Sequence, residues 1–345
     1  MKVTTIGVDL AKNVFQIHGV DKCGESVIVK QLRRGQVIKF FSQLSPCLIG
    51  MEACAGAHHW GRELQRLGHE VKLIAPQFVK PYVKTNKTDA ADAEAICEAV
   101  SRPNMRFVPI KTVEQQAVLS LHRARSGFVK ARTAQANQIR GLLGEYGVVL
   151  GKGISQVRRG VPAILSDEAH GLPPMLCELL RRLYEHLLVL DGEVEALESQ
   201  IVAWHRANED SQRIAEVPGI GPLTATALVA SIGDARSFKS GRQLAAWLGL
   251  VPRQHSSGGK PLLLGISKRG DAYLRTLMIH GARAAERFAE KRDSGTDRWS
   301  GELGRRRPKN VVYVARANKH ARIVWALLAR REQFDANYEA ARCAA

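Results

Sequence analysis

Four acidic residues stand where an acid needs a reason. Asp9 closes the apolar run of "IGVDLAK", Glu52 closes that of "LIGMEAC", and Asp89 and Asp92 lie three apart in "KTDAADAEAI". A carboxylate at the end of a buried strand is costly to desolvate unless something positive meets it. A divalent cation is the economical partner. Mg²⁺ takes oxygen ligands, and four carboxylates can hold two ions about 3.5–4 Å apart that clamp the attacking and leaving oxygens of a phosphodiester. Gathered without metal, the same acids would repel one another and some pKa values would rise. Each also has an ordinary explanation. Asp9 could cap a turn before Lys12, Glu52 could be a surface acid, and Asp89 and Asp92 could solvate a helix that Thr88 or Asp89 caps. Glu94 lies about 200° around the helix from Asp92 on a 3.6-residue repeat and is left out of the set.

Three further stretches carry residues suited to phosphate. "VPRQHSSGGK" reads as a polar, flexible loop with Ser256 and Ser257 beside Arg253, His255 and Lys260. A serine there could attack a phosphodiester if His255, a metal or the substrate activated it, although serine–glycine pairs are also ordinary loop residues. "ISKRGDAYLR" sets Lys268, Arg269 and Arg275 around a helix start, either as phosphate contacts or as a solvated basic face. "VPGIGPLTATAL" reads as half of a helix-hairpin-helix. Gly219 and Gly221 would let the backbone approach a phosphate, and the helix starting after Pro222 would offer free N–H groups without reading sequence.

The elements that must position these residues are legible in part. "VTTIGVDL", "NVFQIHGV" and "ESVIVKQL" read as strands, followed by a helix around "QVIKFFSQL", a strand "PCLIGMEA", a helix "HHWGRELQRLG", a strand "EVKLIAP" and the helix "TDAADAEAICEAV". This mixed α/β order puts acids on a first strand, a later strand and a following helix, which matches the layout of an RNase H-like nuclease core. "RPNMRFVPIKT" reads as a boundary. From Leu176 the apolar positions Leu176, Leu180, Leu183, Leu187, Leu190, Val194, Leu197, Ile201 and Trp204 alternate in steps of four and three. That is a coiled-coil seam, shared either with the helical stretch 113–143 of the same chain or with a second chain. "YGVVLGKGISQVRRGVPAIL" reads as a Gly-rich connection. The expected division is 1–110 α/β, 111–210 helical, 211–335 mostly helical, and a tail over 336–345.

Charge points to the partner. The 345 residues carry a formal net charge of +18, and 24 of the lysines and arginines lie in 211–345 against 11 acids. Such a surplus seeks a polyanion. No run of about 18 apolar residues and no signal peptide occurs, so nucleic acid is the expected partner rather than a membrane, in the cytoplasm. The six cysteines have no zinc spacing and read as thiols of a reducing compartment.

Taken in order, "IGVDLAK", "MEAC", "KTDAADAEAI", "VPGIGPLTATAL", "LAAWLGLVPRQHSSGGK" and "ISKRGDAYLR" resemble the DEDD transposases of bacterial insertion sequences, the IS110 family and its IS1111 branch. The resemblance covers nearly the whole chain. It implies a RuvC-like N-terminal domain, a coiled-coil middle and a C-terminal transposase domain. It implies an RNA-guided DNA recombinase in which a structured bridge RNA pairs with donor and target DNA. Asp9, Glu52, Asp89 and Asp92 would bind Mg²⁺, in a tetramer that combines the acids of one subunit with the serine of another. The family's serine stands before a glycine after a "PR" pair and forms a phosphoserine link to DNA, which fits Ser257, with Ser256 beside it. Two other functions fit the same residues: a junction resolvase cutting with water, and a non-catalytic nucleic-acid scaffold.

Overall fold

The computed structural model describes residues 2–84, 88–167, 171–289 and 295–336. It divides into two compact units, Met1–Val113 and Glu114–Ala345.

The first unit is built on strands β1 (Thr5–Leu10), β2 (Val14–Val20), β3 (Ser26–Arg33), β4 (Leu48–Glu52), β5 (Glu70–Ile74) and β6 (Phe107–Val108), with helices α1 (Val37–Ser42), α2 (Ala57–Arg66), α3 (Pro76–Val79) and α4 (Asp89–Val100). The sheet order is β3-β2-β1-β4-β5-β6. β1, β2 and β3 form an antiparallel meander, β4 and β5 continue parallel to β1, and β6 closes the edge antiparallel to β5. Alternation explains β2, whose Phe15 and Ile17 are fully buried between half-buried neighbours. Ile6, Val8, Phe15, Ile17, Ile49, Met51, Trp60, Leu64 and Leu73 fill the core on the α2 side. The other face belongs to α4. A Cβ at Gly7 would lie 2.1 Å from the Ala93 carbonyl oxygen and 2.4 Å from the Cys97 nitrogen. One at Gly50 would lie 2.7 Å from the Val100 Cβ. Only glycine lets the helix backbone sit this close to the sheet. The stretch "RPNMRFVPIKT", expected as a boundary, contributes β6, a two-residue edge strand too short to show a period.

The second unit is mostly helical: α5 (Val113–Glu145), α6 (Ile154–Ser166), α7 (Pro174–Ala207), α8 (Glu209–Ala215), α9 (Pro222–Ile232), α10 (Gly241–Trp247), α11 (Ala272–Glu286), α12 (Gly295–Gly304) and α13 (Lys309–Ala329), with one hairpin, β7 (Pro252–Ser257) and β8 (Lys260–Ile266). The expected Gly-rich connection holds over 146–153, but its second part is corrected to a helix, α6, whose Val157 and Val161 are fully buried although Pro162 lies inside it. α5 and α7 run antiparallel, since Arg125 Nε donates to Glu198 at 2.8 Å, Arg132 to Asp191 at 3.1 Å, and Gln135 to the Leu183 carbonyl at 3.2 Å. Asp191 also accepts from Arg158 of α6 at 2.7 Å. Burial alone would raise the Asp191 carboxyl, but the two guanidiniums hold it below its ordinary value. The seam from Leu176 is therefore closed largely within one chain. Leu176, Leu180 and Leu187 pack with Ala136, Ile139, Leu143, Val157 and Val161. The reading that hands this seam to a second chain is corrected accordingly.

A second core joins α8–α11 and α13 around Leu228, Leu244, Leu248, Met278, Ala317, Ala321 and Val324. Arg316 on α13 is 1% exposed and donates to Glu286 of α11 at 2.6 Å and Asp297 of α12 at 2.5 Å, tying three helices through one guanidinium. No helix among the described residues is long and apolar enough to cross a membrane. Cys23, Cys47, Cys54, Cys97 and Cys177 form no disulfide. The expected tail, apart from its first residue, lies outside the described residues.

Candidate active site

The glycines that seat α4 also aim the acids. Gly7 pairs with Gly50 across the parallel β1–β4 ladder. Two residues further along each strand, on the same face, stand Asp9 and Glu52. Both are half-buried at adjacent strand ends. They act on a common neighbour: burial raises the Cys54 thiol, and the charges of Glu52 and Asp9 raise it further. Asp89 and Asp92 occupy the first turn of α4, where acids complement the helix dipole, and Asp92 is half-buried one residue before the Ala93 that covers Gly7. Thr88 caps the helix, its hydroxyl accepting from the Ala91 N–H at 3.2 Å. Glu94 pairs with Lys84 at 3.4 Å.

These donors are all carboxylates, the chemistry a hard divalent ion takes. Among the described residues no three His, Cys, Asp or Glu side chains stand close enough together to hold an ion. Asn86 and Lys87 of "NKTDAADAEAI", just before α4, lie outside the described residues. The fit therefore rests on donor type and on the shared face.

The serines stand on a hairpin, not in the flexible loop expected. Gly258 and Gly259 have φ of +54° and +76°, the two positive values a two-residue type I′ turn requires. Ser257 pairs with Lys260, Ser256 with Pro261, His255 with Leu262 and Gln254 with Leu263. Directly opposed residues share a face, so Ser257, His255, Lys260 and Leu262 lie together, and Ser256 and Gln254 lie on the other side. There Gln254 Nε2 donates to Ser256 Oγ at 2.8 Å. Every residue of β7 is exposed. The Gly-Gly pair between two runs was the available signal for a hairpin.

Beyond β8 the cations divide into two roles. Lys268 and Arg269 are exposed, and Lys268 adopts φ of +53°. Arg275 instead faces inward, its Nη1 donating to the Arg269 carbonyl at 3.0 Å and the Leu248 carbonyl at 3.4 Å. The loop is held on α10, since a Cβ at Gly270 would lie 2.0 Å from the Trp247 carbonyl oxygen. Asp271 caps α11 by accepting from the Tyr273 N–H at 2.7 Å, so that helix start is already satisfied by an anion. At the "PGIG" turn, which joins α8 to α9 as expected, the two glycines also differ. Gly219 has φ of +91°, and its Cβ would lie 2.3 Å from the Gly281 carbonyl oxygen, so its requirement is explained by packing on α11. Gly221 and Pro222 are exposed, with open space around Gly221.

Sequence reasoning missed His122. It is 1% exposed on α5, between Tyr273 Oη at 3.0 Å and Thr226 Oγ1 at 3.0 Å. Thr226 donates to the Pro222 carbonyl at 2.8 Å, so it accepts from His122 Nε2, and Nδ1 accepts from the tyrosine. Burial, then Arg125, lowers the imidazole to about 4. The neutral ring thus ties the starts of α9 and α11 to α5. An interior histidine in an otherwise polar-faced helix gave no advance signal of this.

Comparison with known proteins decides the family. The DEDD transposase domain of IS110 type matches residues 6–148, and the domain described as "Transposase IS116/IS110/IS902 family" matches 211–297. A "Probable family 20 transposase" of Pseudomonas aeruginosa is 56% identical over 96% of this chain and 98% of its own length. The chain belongs to the IS110/IS116/IS902 transposase family. The transposase for insertion sequence element IS1111A of Coxiella burnetii is 48% identical, over 96% of this chain and 91% of its own. That for IS1328 of Yersinia enterocolitica is 44% identical, over 94% and 96%. This transposase carries all four acids within the first matched domain, while Ser257 and the exposed cations lie in the second.

Proposed function

We propose that this insertion-sequence transposase cuts and rejoins DNA through a covalent serine intermediate, with Asp9, Glu52, Asp89 and Asp92 as one half of the active site and Ser257 as the other. The observation that carries the reading is the hairpin: Ser257 stands exposed beside a tight turn, on one face with His255 and Lys260. Ser256 is on the opposite face with its oxygen engaged by Gln254, which favours Ser257 as nucleophile. The strand order of the first unit, with acids at the ends of β1 and β4 and at the start of α4, supports an RNase H-like, RuvC-like reading of that unit.

The chemistry is a transesterification. Ser257 Oγ attacks phosphorus, the Oγ–P bond forms as one P–O bond to a sugar breaks, and the departing sugar oxygen takes a proton. His255 or a water accepts the serine proton. Because one phosphoester replaces another, a sugar hydroxyl of a second strand can later displace the serine and rejoin DNA without an external energy source. Divalent metal held by the four acids, Mg²⁺ by donor chemistry, would neutralise charge on the phosphate oxygens. Lys260, Arg253, Lys268 and Arg269 would hold the backbone, as would the exposed start of α9 at Gly221, with Gly219 and Arg275 supporting these loops from inside.

The same proposal includes a structured bridge RNA that chooses donor and target DNA, a homo-oligomer built as a dimer of dimers, and action in the cytoplasm. Backbone-dominated binding by a +18 chain suits a protein whose guide reads the sequence. A second copy would use surfaces other than the Leu176–Trp204 seam, and Met175, Leu179, Leu188 and Val189 are exposed on α7. Functionally the chain divides into a metal-binding region to about 110, helices to about 210 and the serine region to 335. The test is to express the transposase with its flanking element and sequence the co-purifying RNA. One enriched structured RNA is expected, and random cellular RNA alone would refute guidance.

A further inference from the structure

The serine hairpin exposes more apolar surface than a two-stranded ribbon can cover. Leu262, Leu263 and Leu264 are 57%, 64% and 39% exposed. They alternate along β8, so Leu262 lies on the Ser257 face and Leu263 on the face of Ser256. A ribbon whose two faces both carry an exposed leucine is not half of a sheet waiting for a core, since packing on one side would leave the other leucine in water. Such a ribbon is suited to a slot with two walls.

The charge around it identifies the slot. From Ala235 to Gly270 there is no Asp or Glu, and besides Arg236, which pairs with Asp234 at 2.9 Å, the stretch carries Lys239, Arg242, Arg253, Lys260, Lys268 and Arg269. A segment with cations and no acid complements a polyanion. A duplex groove has two phosphate-lined rims and apolar sugar and base surfaces between them, and two-stranded ribbons are of a width to enter one.

We propose that β7–β8 enters a groove of duplex DNA as a β-ribbon, with Leu262 and Leu263 against opposite groove walls and Arg253 and Lys260 on the flanking phosphates. This deepens the proposed function: insertion would bring the Ser257 face to the backbone it attacks. It also adds a contact surface, the leucines, that the cation-based reading of DNA binding leaves out.

The test uses the full chain carrying Ser257→Ala, so that no cleavage competes. Leu262→p-benzoylphenylalanine and Leu263→p-benzoylphenylalanine are made separately, both at exposed sites where the fold has nothing to lose. Each is bound at low salt to a mixed-sequence duplex of about four helical turns, on the order of 40 base pairs, until all the DNA is shifted on a gel, and then irradiated. DNA adducts from both positions are expected. Adducts from only one position, adducts to a second copy of the chain, or none to DNA overturn the proposal. Its failure is separable from that of the serine mechanism, which is read by cleavage with Ser257 intact and does not depend on which surface the leucines touch.

Discussion

The acid face and the serine ribbon are built on opposite plans. Asp9 and Glu52 stand at the ends of strands paired within the sheet, beneath a helix pressed so closely onto it that a methyl group at Gly7 would overlap the helix backbone and one at Gly50 the Val100 side chain. Ser257 stands on a two-stranded ribbon that no layer covers among the described residues, exposed throughout β7 and joined by a two-glycine turn. Residues proposed to hold a metal need a packed scaffold to fix where they point. A nucleophile that must reach a phosphate in a large substrate needs access instead, and isolated hairpins are marginal until something covers them. The contrast teaches that the two regions depend on folding differently. One is set by packing in the core, and the other stands exposed to whatever meets it.

Substitutions can break this contrast, beginning with the largest effect. Asp9→Asn or Glu52→Gln should lower DNA cleavage at least about 100-fold, with the melting temperature unchanged or raised because one of two half-buried like charges on the same face is removed. A large loss of melting temperature would mean that the acids hold the fold rather than the chemistry. Gly7→Ala should do the reverse and attack the scaffold. Its methyl would meet the Ala93 carbonyl at 2.1 Å, and backbone cannot yield cheaply, so a loss of about 3 kcal/mol in denaturant unfolding is expected.

The body that carries the ribbon can be probed by pH. His122 is held neutral, its pKa lowered to about 4 by burial first and Arg125 second, while an unfolded histidine titrates near 6.5. Above pH 6.5 neither state binds the proton, and the stability tied to the neutral ring is complete. As pH falls from 6.5 toward 4 the unfolded chain gains protons that the folded chain refuses, and about 3 kcal/mol is lost. Denaturant unfolding followed between pH 7 and 4.5 should show this slope, and His122→Gln should flatten it. An equal slope in the variant would assign the effect to other groups. The smallest change is Gly258→Ala. Its φ of +54° disfavours alanine by about 1 kcal/mol, but no atom stands within 4 Å of the new methyl. Cleavage should fall a few-fold while global unfolding stays the same. A fall in overall stability would show the ribbon to be part of a core after all.

The sequence made the acid half more legible than the serine half. Short β-rich apolar runs between turn residues exposed β1, β2, β4 and β5, and an acid closing an apolar run is visible without coordinates. β6 escaped because two residues carry no period. α6 escaped because Gly151 and Gly153 before it and Pro162 within it resemble a linker, although Val157 and Val161 are four apart and buried. The serine hairpin was read as a loop because serines and glycines suit both, and only the paired φ values separate them. Gly219 and Gly281 depend on each other across 62 residues of chain, and Arg275 on carbonyls of a loop it folds under. Such roles come from tertiary approach, which no local pattern encodes. The heptad seam left two partners open, and the structure shows the intrachain one, α5, together with α6, which the sequence had hidden in a connection.

The central claim is that Ser257 becomes covalently joined to DNA. It is tested most directly by incubating the transposase with labelled element DNA, its co-purified RNA and Mg²⁺, denaturing without protease, and looking for label that migrates with protein. The account predicts an adduct with the native chain and with Ser256→Ala, and none with Ser257→Ala. Cleaved DNA free of protein, undiminished in Ser257→Ala, would contradict it and assign the cut to water.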